Sequence, residues 1–98
     1  MEQEGKGFET PALGDRHYRE YQNMLAQSDS QLRRSARSYA KELEKHRNYI
    51  ANPAENAKDW AIRSDNARKG LVNFWTKEVV ALEIKLNWAN SILAERRL

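Results

Sequence analysis

From Tyr18 to Ile50 apolar side chains recur every three or four residues. With Leu32 at 0° and 100° per residue, Tyr18, Tyr21, Leu25, Tyr39, Leu43 and Ile50 all fall within about 40° of it. A stripe so narrow and continuous predicts one helix over residues 16–52, about 54 Å long, with Asp15 as its cap. The segment QSDSQ interrupts the pattern. Ser28 followed by Gln31 is a capping-box signal, and a break near Ser28 is the alternative reading.

The stretch ANPAENAKDW ends that helix and starts another. Pro53 disfavours a helical Asn52, whereas Asn52 as cap, Pro53 at the first position and Glu55 at the third make a start signal. The spacing of Ala57, Ala61, Ser64, Ala67, Leu71 and Trp75 carries the helical period onward. It runs through Gly70, whose interior position costs only about 1 kcal/mol against Ala. The prediction is therefore a second helix over 53–97, and a break at Gly70 giving three helices is the alternative. So short a connection favours antiparallel neighbours. The fold class expected is all-α, a long antiparallel αα-hairpin that assembles into a helical bundle.

The second helix has more apolar surface than a hairpin uses. With Leu82 at 0°, Leu71, Trp75, Val79, Leu86, Ala89 and Leu93 lie between about −20° and +80°, the face for the first helix. Phe74, Ala81, Ile84, Trp88 and Ile92 form a second stripe at about 200° to 280°. Burying side chains of this size is worth about 1.5 to 3 kcal/mol each, so leaving four large ones in water forgoes about 6 to 12 kcal/mol. Three arrangements answer that: a chain folding back as three helices, two hairpins pairing, or a standing site for another protein. Self-association is the expectation, with Phe74, Ile84, Trp88 and Ile92 as partner-binding residues. Trp88 is its centre, because Trp is enriched at binding hot spots.

Composition narrows the class further. The chain has 98 residues, 40% hydrophobic and 32% charged, with three Trp and no Cys. That suits one small domain, residues 16–98, and excludes disulfides and thiolate chemistry. Residues 1–15 differ: they hold Gly5, Gly7, Gly14 and Pro11, and Lys6 against Glu2, Glu4, Glu9 and Asp15 leaves −3. They are expected to form a flexible arm, a frayed terminus in preference to one that docks on a partner, with Phe8 and Leu13 the residues able to pin it to the body. No apolar run is long enough for a membrane span, and the acidic start does not resemble a signal peptide, so the expected location is cytoplasmic.

The net charge of +3 permits acidic partners without demanding them. The segment LRRSARSYAK concentrates the bases: Arg33, Arg34, Arg37, Lys41 and Lys45 lie at about 100° to 220°, opposite the core stripe. Arg16 and Arg19 share that sector, giving a line about 44 Å long that only Glu44 interrupts. A solvated helix face ordinarily mixes signs at four-residue spacing. This one does not; a solvated face without a ligand is still the first reading, and nucleic acid held by its phosphates, or an acidic protein surface, is the alternative. No base-reading motif accompanies it.

Catalysis is not expected. His46 with Glu42 four residues before it is a local pair or a half-buried His rather than a metal site, because carboxylate bundles need further inward Glu. Ser35 and Ser38 have no base or oxyanion donors in a readable arrangement. The expected function is a non-enzymatic binding protein (adaptor, inhibitor or assembly factor), without cofactor, metal or small-molecule substrate.

Overall fold

The computed structural model describes residues 18–97, and every regular element among them is helical. The arm of residues 1–15 and the Asp15 cap lie outside the described residues. Four helices follow in order: α1 (Tyr18–Leu25), α2 (Asp29–Ala51), the single turn α3 (Pro53–Asn56) and α4 (Asp65–Arg96), with a 3-10 turn at Trp60–Ile62 before α4. The all-α hairpin is thus the frame, α2 packing along α4. Two helix boundaries differ from those the periodicity predicts.

The single helix expected over 16–52 is two helices. Gln27 N–H donates to Met24 O at 3.1 Å and closes α1. Ser28 is extended, with ψ 163°, and caps α2 with a complete box. Gln31 N–H donates to Ser28 Oγ at 3.1 Å, and Ser28 N–H donates to Gln31 Oε1 at 2.9 Å. Two donors that a helix start leaves orphaned are satisfied reciprocally, and such a cap is worth about 1 kcal/mol. The chain reverses there, so α1 no longer shares the phase of α2. Met24, off the shared stripe, is 3% exposed, whereas Leu25, on it, is 40% exposed.

The second helix expected over 53–97 likewise does not run unbroken. Asn52 ends α2 by donating its N–H to Asn48 O, and Pro53 opens α3 as its signal implies. But Ala57 is extended and buried, and α3 stops after one turn. The helix restarts at Ser64, whose Oγ accepts from Ala67 N–H at 3.1 Å. Arg68 holds the intervening turn. Its Nε donates to Trp60 O at 2.9 Å, its Nη2 to Ala61 O at 3.1 Å, and its guanidinium lies 5.3 Å from a Trp60 ring centroid. Arg63 Nε donates to Asp59 Oδ1 at 2.9 Å and holds that carboxyl below its usual range. There is no break at Gly70, which sits within α4 where an added Cβ meets nothing within 4 Å.

Contacts fix the helix directions. Arg96 meets Asp29 at one end of α4, Glu83 meets Arg47 further back, and Trp75 meets Tyr49 beyond that, so α2 and α4 are antiparallel. Glu20 meets Lys85, Tyr21 meets Trp88, and Leu25 O accepts from Arg96, so α1 runs in the direction of α4. The main core lies where the three helices overlap. It comprises Met24, Leu32, Trp88, Ala89, Ile92 and Leu93, with Tyr21, Ala36, Tyr39 and Ile84 packed against it. Toward the other end α2 and α4 bury Leu43 and Trp75 as a two-helix pair.

Candidate functional site

The second stripe of α4 is where sequence periodicity expected a partner. Over its C-terminal half that partner is α1. Trp88 is 3% exposed and Ile92 2% exposed, both inside the chain's own core. Tyr21 meets Trp88 edge-on at 5.6 Å between centroids, a favoured aromatic geometry. Ile84 is half-buried against the same cluster. Of the four residues expected to bind a partner, only Phe74 stands open, at 55% exposure. Trp88 and Ile92 are therefore core rather than contact surface. The physical reason is the reversal at Ser28, which returns α1 to cover them.

One residue of this arrangement had no signal in the sequence. Arg96 Nη1 donates to Gln27 O at 2.8 Å and to Asp29 Oδ1 at 2.9 Å, while Nη2 donates to Leu25 O at 2.8 Å. These contacts satisfy carbonyls that the end of α1 leaves open and tie the turn to the last residue of α4. A basic residue near a helix end is common, and nothing local marks one that reaches another helix.

The basic face of α2 is placed differently. The capping box fixes the start of the helix, and Leu32, Ala36, Tyr39 and Leu43 turn inward. By helical phase Arg33, Arg34, Arg37 and Lys41 lie on the opposite side, and all four are exposed. Among the described residues none of the four has a salt bridge. Asp29, one turn before Arg33, is already held by Arg96. Lys45, the fifth expected member, pairs with Glu42 at 3.3 Å. Glu44 is exposed among these bases without a salt bridge among the described residues. Arg34, Arg37, Ser38, Ala40, Lys41 and Glu44 line an open hollow, all on the one helix, so nothing walls it from a long ligand.

Other bases separate into two groups. Arg47, Arg63, Lys85 and Arg96 are held by carboxylates, and Arg68 by backbone carbonyls. Arg19, Lys58, Lys69, Lys77 and Arg97 have no salt bridge among the described residues, but no two of them are three or four residues apart. Among the described residues only α2 stacks unpaired bases one turn above another. Like charges at that spacing cost a few tenths of a kcal/mol per pair. The line is shorter than expected from one unbroken helix. Arg19 belongs to α1, Arg16 lies outside the described residues, and Arg33 to Lys45 span about 18 Å of α2.

His46 does not form a ligand pair with Glu42. Its Nδ1–H donates to Glu42 backbone O at 2.7 Å, while the Glu42 carboxylate goes to Lys45. Ser35 and Ser38 lie along α2 beside Arg34, on the rim of the same exposed face. Among the described residues no helix is long and apolar enough to cross a membrane. No protein-family model matches the chain, and no curated protein or solved structure matches it either.

Proposed function

We propose that this chain is a non-catalytic binding protein and that its working surface is the exposed basic face of α2. The ligand that fits is a polyanion held by its phosphates, such as a nucleic-acid duplex, without reading of bases. The observation that carries this reading is the run Arg33, Arg34, Arg37 and Lys41, exposed and without a salt bridge among the described residues. A polyanion relieves their mutual repulsion and releases its own counterions on binding. Aromatic rings are not interleaved with the line, since Tyr39 packs on the core and Tyr49 on Trp75, so stacking on unpaired bases has no platform here. A protein-binding role for the C-terminal helix retains one supporting observation, the exposed Phe74.

The test is a salt series with a labelled duplex of arbitrary sequence, followed by fluorescence anisotropy. Affinity is expected to fall steeply with salt. Changing Arg33, Arg34, Arg37 and Lys41 to Gln is expected to flatten the log–log slope by up to about 3.5, the counterions of four phosphate contacts. Changing Arg19, Lys58, Lys69 and Arg97 to Gln removes the same charge from other surfaces and is expected to change the slope much less. Equal effects from the two sets overturn the reading, as does a duplex that does not bind at low salt.

A further inference from the structure

The break between α3 and α4 builds a cavity that one continuous helix would not have. On an unbroken helix Trp60 and Arg68 would stand about 12 Å apart along the axis. The 3-10 turn at Trp60–Ile62 brings the indole back, and the Arg68 guanidinium lies 5.3 Å from a Trp60 ring centroid. Trp60, Arg68, Lys69, Val72 and Asn73 line an open cavity of about 360 Å³. Half-buried Arg68 and Val72 are one turn apart on α4 and form its inner wall, with half-buried Trp60 facing them. Exposed Lys69 and Asn73, again one turn apart, form its rim. Two elements thus shape it, whereas the hollow on α2 lies along one helix.

We propose that this cavity binds a small apolar carboxylate, its hydrocarbon body against Trp60 and Val72 and its carboxylate at Lys69, Asn73 and Arg68. The size suits such a ligand, since small-molecule sites begin at about 300 Å³. The chemistry of the lining sets the charge: two bases and an amide stand on it, and no carboxylate does. Lys69 has no salt bridge among the described residues, although Asp65 stands one turn before it. Arg68 is positioned before any ligand arrives. Its Nε and Nη2 donate to Trp60 O and Ala61 O, which leaves Nη1 without a hydrogen bond among the described residues. A donor already held in place loses little freedom on binding, and a guanidinium is well matched to a carboxylate. A bare phosphate would gain nothing from the indole and the valine, and a neutral hydrocarbon would leave the bases unused. The site is separate from the basic face of α2 and does not depend on that reading.

The chain has three Trp, so a nitrogen-15 correlation spectrum of the full chain shows three indole N–H signals, and Trp60→Phe identifies one of them. The probes are 3-phenylpropionate and its amide, which share a shape and differ in charge, each titrated at neutral pH and fixed ionic strength. With the carboxylate, the Trp60 indole and the backbone amides of Lys69 to Asn73 are expected to shift saturably, with half-saturation on the order of a millimolar. The indole of Trp88, at the closed end of the core, is expected to stay in place. The amide is expected to bind about three- to fivefold more weakly, the worth of a partly exposed charge pair. Lys69→Gln is expected to weaken the carboxylate by the same factor, and Lys77→Gln, which removes an equal charge two turns further on, to leave it unchanged. No saturable shift by about 20 mM overturns the proposal. So do equal affinities for the two probes, or a Lys69→Gln chain that binds like the parent. Shifts as large at Arg33 to Lys41 of α2 also overturn it, because the anion is then drawn to bases in general.

Discussion

The two ends of α4 carry similar apolar patterns and have different fates. At the C-terminal end Trp88, Ile92 and Leu93 are enclosed by α1 and α2, and each is less than 10% exposed. At the N-terminal end Trp75 is covered by α2, but Phe74, one residue before it and turned away, is 55% exposed. The helix is the same and the residue types are alike. What differs is the eight-residue α1, about 12 Å long, which covers only as much of the stripe as it can span. Whether an apolar stripe becomes core or contact surface is thus decided outside the stripe, by the chain reversal at Gln27 and Ser28.

Substitutions at the two ends sharpen that contrast. The largest expected effect is Leu32→Ala. Leu32 is fully buried at the closed end, and the change is expected to cost about 2 to 5 kcal/mol in denaturant unfolding. The same truncation at half-buried Leu71, toward the open end, is expected to cost well under half of that. Arg96→Ala comes next. It removes three hydrogen bonds that pin the turn after α1, and the partly exposed guanidinium limits the loss to about 1 kcal/mol. Its signature is regional: amide exchange is expected to accelerate in α1 and to stay unchanged around Trp75. The smallest effect has the opposite sign. Gly70→Ala is expected to stabilise the open end by about 0.5 to 1 kcal/mol, since the position is helical and the added methyl group meets nothing. A thermal melt that moves down rather than up counts against that.

Much of this was legible in the residues. The inward phase of Leu32, Tyr39 and Leu43 and the outward phase of Arg33, Arg34, Arg37 and Lys41 follow from a period of 3.6, and the structure keeps both. The continuity of α4 through Gly70 was legible for the same reason. Periodicity failed where it bridged a reversal. Tyr18, Tyr21 and Leu25 sit in phase with Leu32 by arithmetic alone, although they belong to another helix with its own face toward the core. The capping box at Ser28 was the correct signal, and two local hydrogen bonds there outweighed a longer pattern. Ser64 repeats the lesson. At stripe spacing it passed for a small core residue, yet it is the cap of α4. Ala57, Ala61 and Ser64 contribute little apolar area, so their spacing had little power to hold a helix together. The fate of Trp88 was not legible from α4 at all, because it depends on α1 returning.

The most direct test of this account is a far-ultraviolet circular dichroism melt of two matched variants, Trp88→Glu and Phe74→Glu. The change at Trp88 puts a charge among Tyr21, Leu32 and Ile92, in a cluster only 3% exposed at that position. Trp88→Glu is expected to lose its cooperative transition at room temperature, while Phe74→Glu melts cooperatively near the parent. A Trp88→Glu chain that stays folded and melts like the parent would contradict it, because Trp88 would then be surface and the closed end would not be the core.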